Sequence, residues 1–140
     1  MNEVTDEKME QGRPIVLIVD DEFSIRDLLS KFLTAKGISC LTAASVEEAI
    51  GLLQTRRVDL VLLDWGLRGQ QDADGALVLQ FCKANLPSLP VVVISGQIFD
   101  PGTNTLVDEA DGFLQKPFDL TTITDHISRW VNRKKVPADE

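Results

Sequence analysis

The sequence predicts an α/β domain: a doubly wound, five-stranded parallel sheet in strand order 2-1-3-4-5, with helices on both faces. Three observations carry that expectation. Short apolar runs alternate along the chain with helix-period segments, the pattern of repeated βα units. The runs at 15–19, 60–63 and 91–94 are apolar on consecutive residues rather than on every second one, as parallel strands covered on both faces require. Right-handed crossovers then leave few topologies, and five strands fit this order better than the six-stranded dinucleotide-binding one.

Each element follows in turn. Ile15-Val16-Leu17-Ile18-Val19 reads as the first strand, stopping at Asp20-Asp21. Ile25, Leu28, Leu29, Phe32 and Leu33 recur at helical spacing, and Gly37 ends that helix. Residues 38–43 form a weaker strand. Ser45-Val46-Glu47-Glu48 is a capping box opening a helix with Val46, Ala49, Ile50 and Leu53 on one face. Leu60-Val61-Leu62-Leu63 is a strand ending at Asp64, and Leu77, Val78 and Phe81 mark the next helix. Val91-Val92-Val93-Ile94 is a strand ending at Ser95. Residues 112–115 form a short strand before Lys116-Pro117, and Asp119 caps a last helix with Leu120, Ile123, Ile127, Trp130 and Val131 inward.

Composition narrows the function classes. The chain has 140 residues, enough for one domain with a proper core, and 22 Asp+Glu against 14 Lys+Arg give a net charge of −8. Bulk charge of that sign repels phosphates, which argues against nucleic acid or an anionic membrane as partner. Cys40 and Cys82 lie in apolar stretches and read as buried free thiols of a reducing cytoplasm. His126 is the single histidine, so no zinc site is expected. The amino terminus lacks the pattern of a signal peptide, and no run approaches the ~18 apolar residues of a membrane span. A cytoplasmic, soluble protein is the expectation. Residues 1–13 read as a flexible tail, 14–133 as the domain, and 134–140 as a short tail with no room for an output domain.

In doubly wound sheets the ligand crevice lies at the carboxyl ends of the strands, near the switch point between the first and third. There the sequence puts Asp20 and Asp21, Asp64, Ser95 and Lys116. Three carboxylates facing one crevice repel one another unless a cation sits among them. An all-oxygen set without His or Cys suits Mg²⁺, with Mn²⁺ possible. A magnesium held by few protein ligands keeps room for a phosphoryl oxygen, and a hydroxyl and an ammonium opposite would hold the others.

These residues resemble the receiver domain of bacterial two-component response regulators, which has a flavodoxin-like fold. The resemblance covers residues 14–133 and rests on Asp20-Asp21, on Asp59-Leu60-Val61-Leu62-Leu63-Asp64, on Ile94-Ser95-Gly96, and on Asp111-Gly112-Phe113-Leu114-Gln115-Lys116-Pro117-Phe118. It implies that Asp64 accepts a phosphoryl group from a phosphohistidine of a sensor histidine kinase or phosphotransfer protein. Asp20, Asp21, Asp64 and the main-chain carbonyl of Gly66 would hold Mg²⁺. Lys116 would pair with the phosphoryl oxygens, Ser95 would swing to hydrogen-bond them, and Phe113 would rotate inward behind it. Gly66 and Gln97 would tune the lifetime of the acyl phosphate.

The chain departs from the family pattern in three places. Arg68 stands where a proline is common after the phosphoacceptor, and the glycine that follows, Gly75, comes three residues late. Residues 69–74 therefore read as a lengthened polar loop. Gly66 and Gln97 leave the phosphoryl lifetime open. Asp100-Pro101-Gly102-Thr103-Asn104-Thr105 permits only a short helix on the face through which such domains respond.

The resulting expectation is a phosphorylation-dependent switch, not an enzyme beyond its own phosphorylation and dephosphorylation, that relays its signal by protein–protein contact with an unknown downstream partner. It would be a monomer or a weak phosphorylation-dependent dimer. The alternative is a degenerate receiver serving as a constitutive protein-binding module. A haloacid-dehalogenase-type phosphatase would want an acid where Gly66 stands, and Asp20-Asp21-Glu22 would repel the phosphate of a flavin carrier.

Overall fold

Apolar residues on consecutive positions cannot be half-exposed, so the chain buries them between two helical layers. In the computed structural model of the chain, residues 12–65, 73–96 and 109–135 are described. Strands β1 (Ile15–Val19), β2 (Ser39–Ala43), β3 (Leu60–Asp64), β4 (Val91–Ser95) and β5 (Gly112–Gln115) form one five-stranded sheet, β2-β1-β3-β4-β5. Every observed pairing is parallel. The helices are α1 (Phe23–Ala35), α2 (Val46–Thr55), α3 (Ala73–Asn85) and α4 (Leu120–Lys135). Fold class and strand order are as the sequence predicts.

The period-2 alternation of the strands splits the core in two. Leu17, Val19, Val61, Leu63, Val91 and Val93 face α2 and α3. Val16, Ile18, Leu60, Leu62, Val92 and Ile94 face α1 and α4. The strands β1, β3 and β4 are buried at every position, which explains their unbroken apolar runs. Edge strand β2 is only half-buried, and with it Cys40, so of the two cysteines expected to be buried only Cys82 is.

Local chemistry sets the helix ends. Ser45 accepts the Glu48 amide, while the Glu48 carboxylate reaches back to the Ala44 amide at 2.6 Å, one residue before the cap itself. Gly37 closes α1 at φ 87°, a backbone conformation that glycine adopts without strain. Asp119 accepts the Thr122 amide at the start of α4. Two of the leucines that mark these helices by their spacing are about half-exposed: Leu28 at 49% and Leu77 at 50%. The buried seam of α1 is the narrower i, i+4 pair Leu29 and Leu33, and in α3 it is Ala76, Val78, Leu79 and Cys82.

Gly75 has a packing reason. A Cβ there would stand 2.8 Å from the Trp65 main-chain oxygen, so only glycine lets α3 approach the residue that follows β3. The late glycine is thus tied to a fixed contact. Residues 1–11, 66–72 and 97–108, with most of the predicted amino-terminal tail, most of the lengthened loop and the predicted short helix at Asp100-Pro101, lie outside the described residues, as do 136–140.

Candidate metal and phosphoryl site

Strand register brings the predicted residues together. Val19 pairs with Leu63, so Asp20 and Asp64 stand level at the carboxyl ends of adjacent strands. Asp64 pairs with Ile94, and Ser95 with Gln115, so Ser95 and Lys116 follow on the next two strands. The ladder continues one residue further, with Trp65 N–H donating to the Ile94 carbonyl at 2.9 Å and Lys116 N–H to the Ser95 carbonyl at 2.7 Å. The Lys116–Pro117 peptide bond is cis.

Ligand oxygens of Asp20, Asp21 and Asp64 all lie within 4.8 Å of one another. Asp20 (3%), Asp64 (7%) and Ser95 (5%) are the buried polar residues among those described, and Asp21 is exposed. Lys116 Nζ donates to Asp64 Oδ1 at 3.3 Å. The Glu22 amide donates to Asp20 Oδ1 at 2.9 Å. Burial pushes the Asp20 carboxyl up from 3.8 to about 6; the Glu22 amide opposes that rise and the Asp64 charge adds to it. The site therefore concentrates negative charge that a proton or a cation would relieve. Carboxylates without imidazole or thiolate are the donors of a hard ion, so the residues present fit Mg²⁺ or Mn²⁺.

Two further expected residues are described. Phe113 lies on β5 with 37% of its surface exposed. A Cβ on Gly96 would touch nothing within 4 Å, so packing does not require glycine there. Gly66 and Gln97 lie outside the described residues.

One contributor escaped the sequence reading. Arg26 on α1 donates from Nη1 to the Asp20 main-chain oxygen at 2.9 Å, and its guanidinium carbon lies 5.6 Å from the centre of the Phe23 ring. The available signal was its place near the amino end of a helix, where the helix dipole disfavours a cation.

Five parallel strands in this order, with a carboxylate cluster and a lysine at their carboxyl ends, define a doubly wound domain distinct from the six-stranded dinucleotide carriers. Residues 16–128 match the response regulator receiver domain, and the chain belongs to that family. It is 36% identical over 109 residues to the DNA-binding transcriptional regulator NtrC of Klebsiella pneumoniae, covering 77% of this chain and 23% of that one. The autoinducer 1 sensor kinase/phosphatase LuxN of Vibrio harveyi is 30% identical over 120 residues, 86% of this chain and 14% of LuxN. The crystal structure of the receiver domain of NtrX from Brucella abortus superposes with a TM-score of 0.74 at 33% identity, covering 84% of this chain and 98% of that domain. The chain thus spans about a fifth of the length of the curated relatives it matches, 22% for the NtrX-like regulators of Rickettsia. Among the described residues no helix is long and apolar enough to cross a membrane.

Proposed function

We propose that this receiver is a switch driven by phosphorylation of Asp64. The observation that carries the reading is the convergence of three carboxylates within 4.8 Å beside the Lys116 ammonium. An Asp64 carboxylate oxygen forms a P–O bond as the P–N bond of a phosphohistidine breaks, and the released imidazole takes up a proton. The donor would be a sensor histidine kinase or a phosphotransfer protein. Asp20, Asp21, Asp64 and the Gly66 main-chain carbonyl would hold Mg²⁺, which when bound neutralises charge on the phosphoryl oxygens. Lys116 exchanges its bond to Asp64 for one to a phosphoryl oxygen. Ser95 donates its hydroxyl to another, and Phe113, part-exposed before the reaction, turns in behind it. Gly66 and Gln97 set how long the acyl phosphate survives.

The signal then leaves by protein–protein contact, from a cytoplasmic monomer or a weak phosphorylation-dependent dimer. Incubation with Mg²⁺ and acetyl phosphate tests this reading. The expected result is a hydroxylamine-sensitive phosphoryl adduct mapped to Asp64, lost on chelating the metal and absent from Asp64→Asn. No adduct on the wild-type protein would favour the degenerate, constitutive binding module instead.

A further inference from the structure

The turn that carries both leading acids is held from three directions. Asp20 N–H donates to the Ala43 carbonyl at 3.0 Å, tying the turn to β2. Asp20 Oδ1 accepts the Glu22 amide at 2.9 Å, which fixes the carboxylate against its own backbone. The Asp20 carbonyl accepts Arg26 Nη1 at 2.9 Å. The first extends the β1–β2 ladder by one residue and the second is a local side-chain-to-backbone turn, both of ordinary kind. The third is a long side chain folded back over a full helical turn, with its guanidinium 5.6 Å from the Phe23 ring centre.

The placement is costly on other grounds. Arg26 sits near the positive end of α1, where the helix dipole disfavours a cation. Phe23 is 68% exposed, so burial does not explain why that ring lies there. Ring and carbonyl together account for the guanidinium: the ring face attracts it, and its planar fork reaches the carbonyl with little loss of freedom.

We propose that Arg26 is a positioning residue for the cation site, holding the Asp20 carbonyl so that Asp20 and Asp21 keep the spacing a small octahedral ion demands. The inference rests on the reading of Asp20, Asp21 and Asp64 as metal ligands. It makes a prediction whose sign separates it from electrostatics. By charge alone, removing the cation that bonds the Asp20 main-chain oxygen leaves the neighbourhood of the site more negative and strengthens the binding of another cation. If Arg26 acts through geometry, its removal weakens binding, and weakens it more for Mg²⁺ than for Ca²⁺. Mg²⁺ requires near-ideal coordination at short distance, whereas Ca²⁺ accepts irregular sites.

Mg²⁺ and Ca²⁺ titrations followed by intrinsic fluorescence test this, since Trp65 adjoins Asp64 in the chain. Arg26→Met, which keeps the length and removes the donor, is expected to weaken Mg²⁺ by about tenfold, the equivalent of one hydrogen bond to a charged group. The Ca²⁺ loss is smaller, and Arg26→Lys recovers part of the Mg²⁺ affinity. Phe23→Leu, which removes the ring but keeps the donor, moves Mg²⁺ affinity the same way by a smaller factor, and it serves if Arg26→Met melts below the titration temperature. Unchanged or tighter Mg²⁺ binding in folded Arg26→Met, or equal losses for the two ions, would overturn the role of Arg26. A wild-type protein that titrates with neither ion would overturn the site itself.

Discussion

The two ends of the sheet use the same residue for opposite purposes. At the amino ends, Asp59 and Asp111 make matching clamps. Asp59 donates its amide to the Ile15 carbonyl and accepts the Ile15 amide on Oδ2 at 2.8 Å. Asp111 does the same with Val91, also at 2.8 Å. A cation attends each: Arg57 stands 3.6 Å from Asp59, and Lys83 stands 2.7 Å from Asp111. At the carboxyl ends, Asp20, Asp21 and Asp64 crowd within 4.8 Å, and the ammonium of Lys116 reaches Asp64 at 3.3 Å. Where acids serve the fold, their charge is matched one for one. At the carboxyl ends the acids stand close to one another instead, and burial together with the Asp64 charge raises the Asp20 carboxyl to about 6.

That difference predicts opposite responses to the same kind of substitution. The largest effect on stability belongs to the amino end. Asp111→Ala strands the Val91 amide and removes the partner of Lys83, and is expected to cost about 2–3 kcal/mol in urea denaturation. A double-mutant cycle with Lys83→Met isolates the ion-pair share. A loss under about 0.5 kcal/mol would mean that the clamp contributes no more than an ordinary surface contact.

Asp20→Asn is expected to act in the other direction. The native carboxyl titrates near 6, above its ordinary 3.8, so between those values the folded protein holds more proton than the unfolded chain. Stability of the metal-free protein therefore falls as pH rises through that window, and the full loss is present above about pH 7. Asp20→Asn removes that slope and raises metal-free stability at pH 7 by about 1 kcal/mol, a figure kept small because water screens part of the charge. Its Mg²⁺ affinity falls at the same time. Parallel pH profiles for wild type and variant would break the comparison.

Both ends were unequally legible in the sequence. Asp20, Asp64 and Ser95 could be placed because each ends an apolar run, and Lys116 because it follows a short strand, since parallel strands bring such ends into one crevice. Strands β1, β3 and β4 were legible for the same reason, since burial on both faces leaves no polar interruption. Asp59 could not be distinguished from a turn residue, because its role depends on which strand lies beside it, a fact of register rather than of local pattern. Leu28 and Leu77 mark their helices correctly yet stay half-exposed, because spacing shows an apolar side of the helix while the width of the buried seam depends on what packs there. Arg26 was hidden by the backward reach of its side chain to a main-chain oxygen, which no residue type records.

Asp21 sharpens the contrast with the smallest expected effect on the fold. It belongs to the carboxylate cluster but is exposed, so its charge remains solvated before any ion arrives. Replacing it with Asn therefore leaves little to gain or lose in folding, within about 0.5 kcal/mol in urea denaturation. Ion binding is different, because the bound cation draws on every carboxylate around it, whether or not water also reaches that group. Asp21→Asn is expected to weaken Mg²⁺ by about tenfold with the stability curve unmoved. A variant that changed stability but not affinity would move Asp21 out of the cation site and into the same role as Asp59 and Asp111.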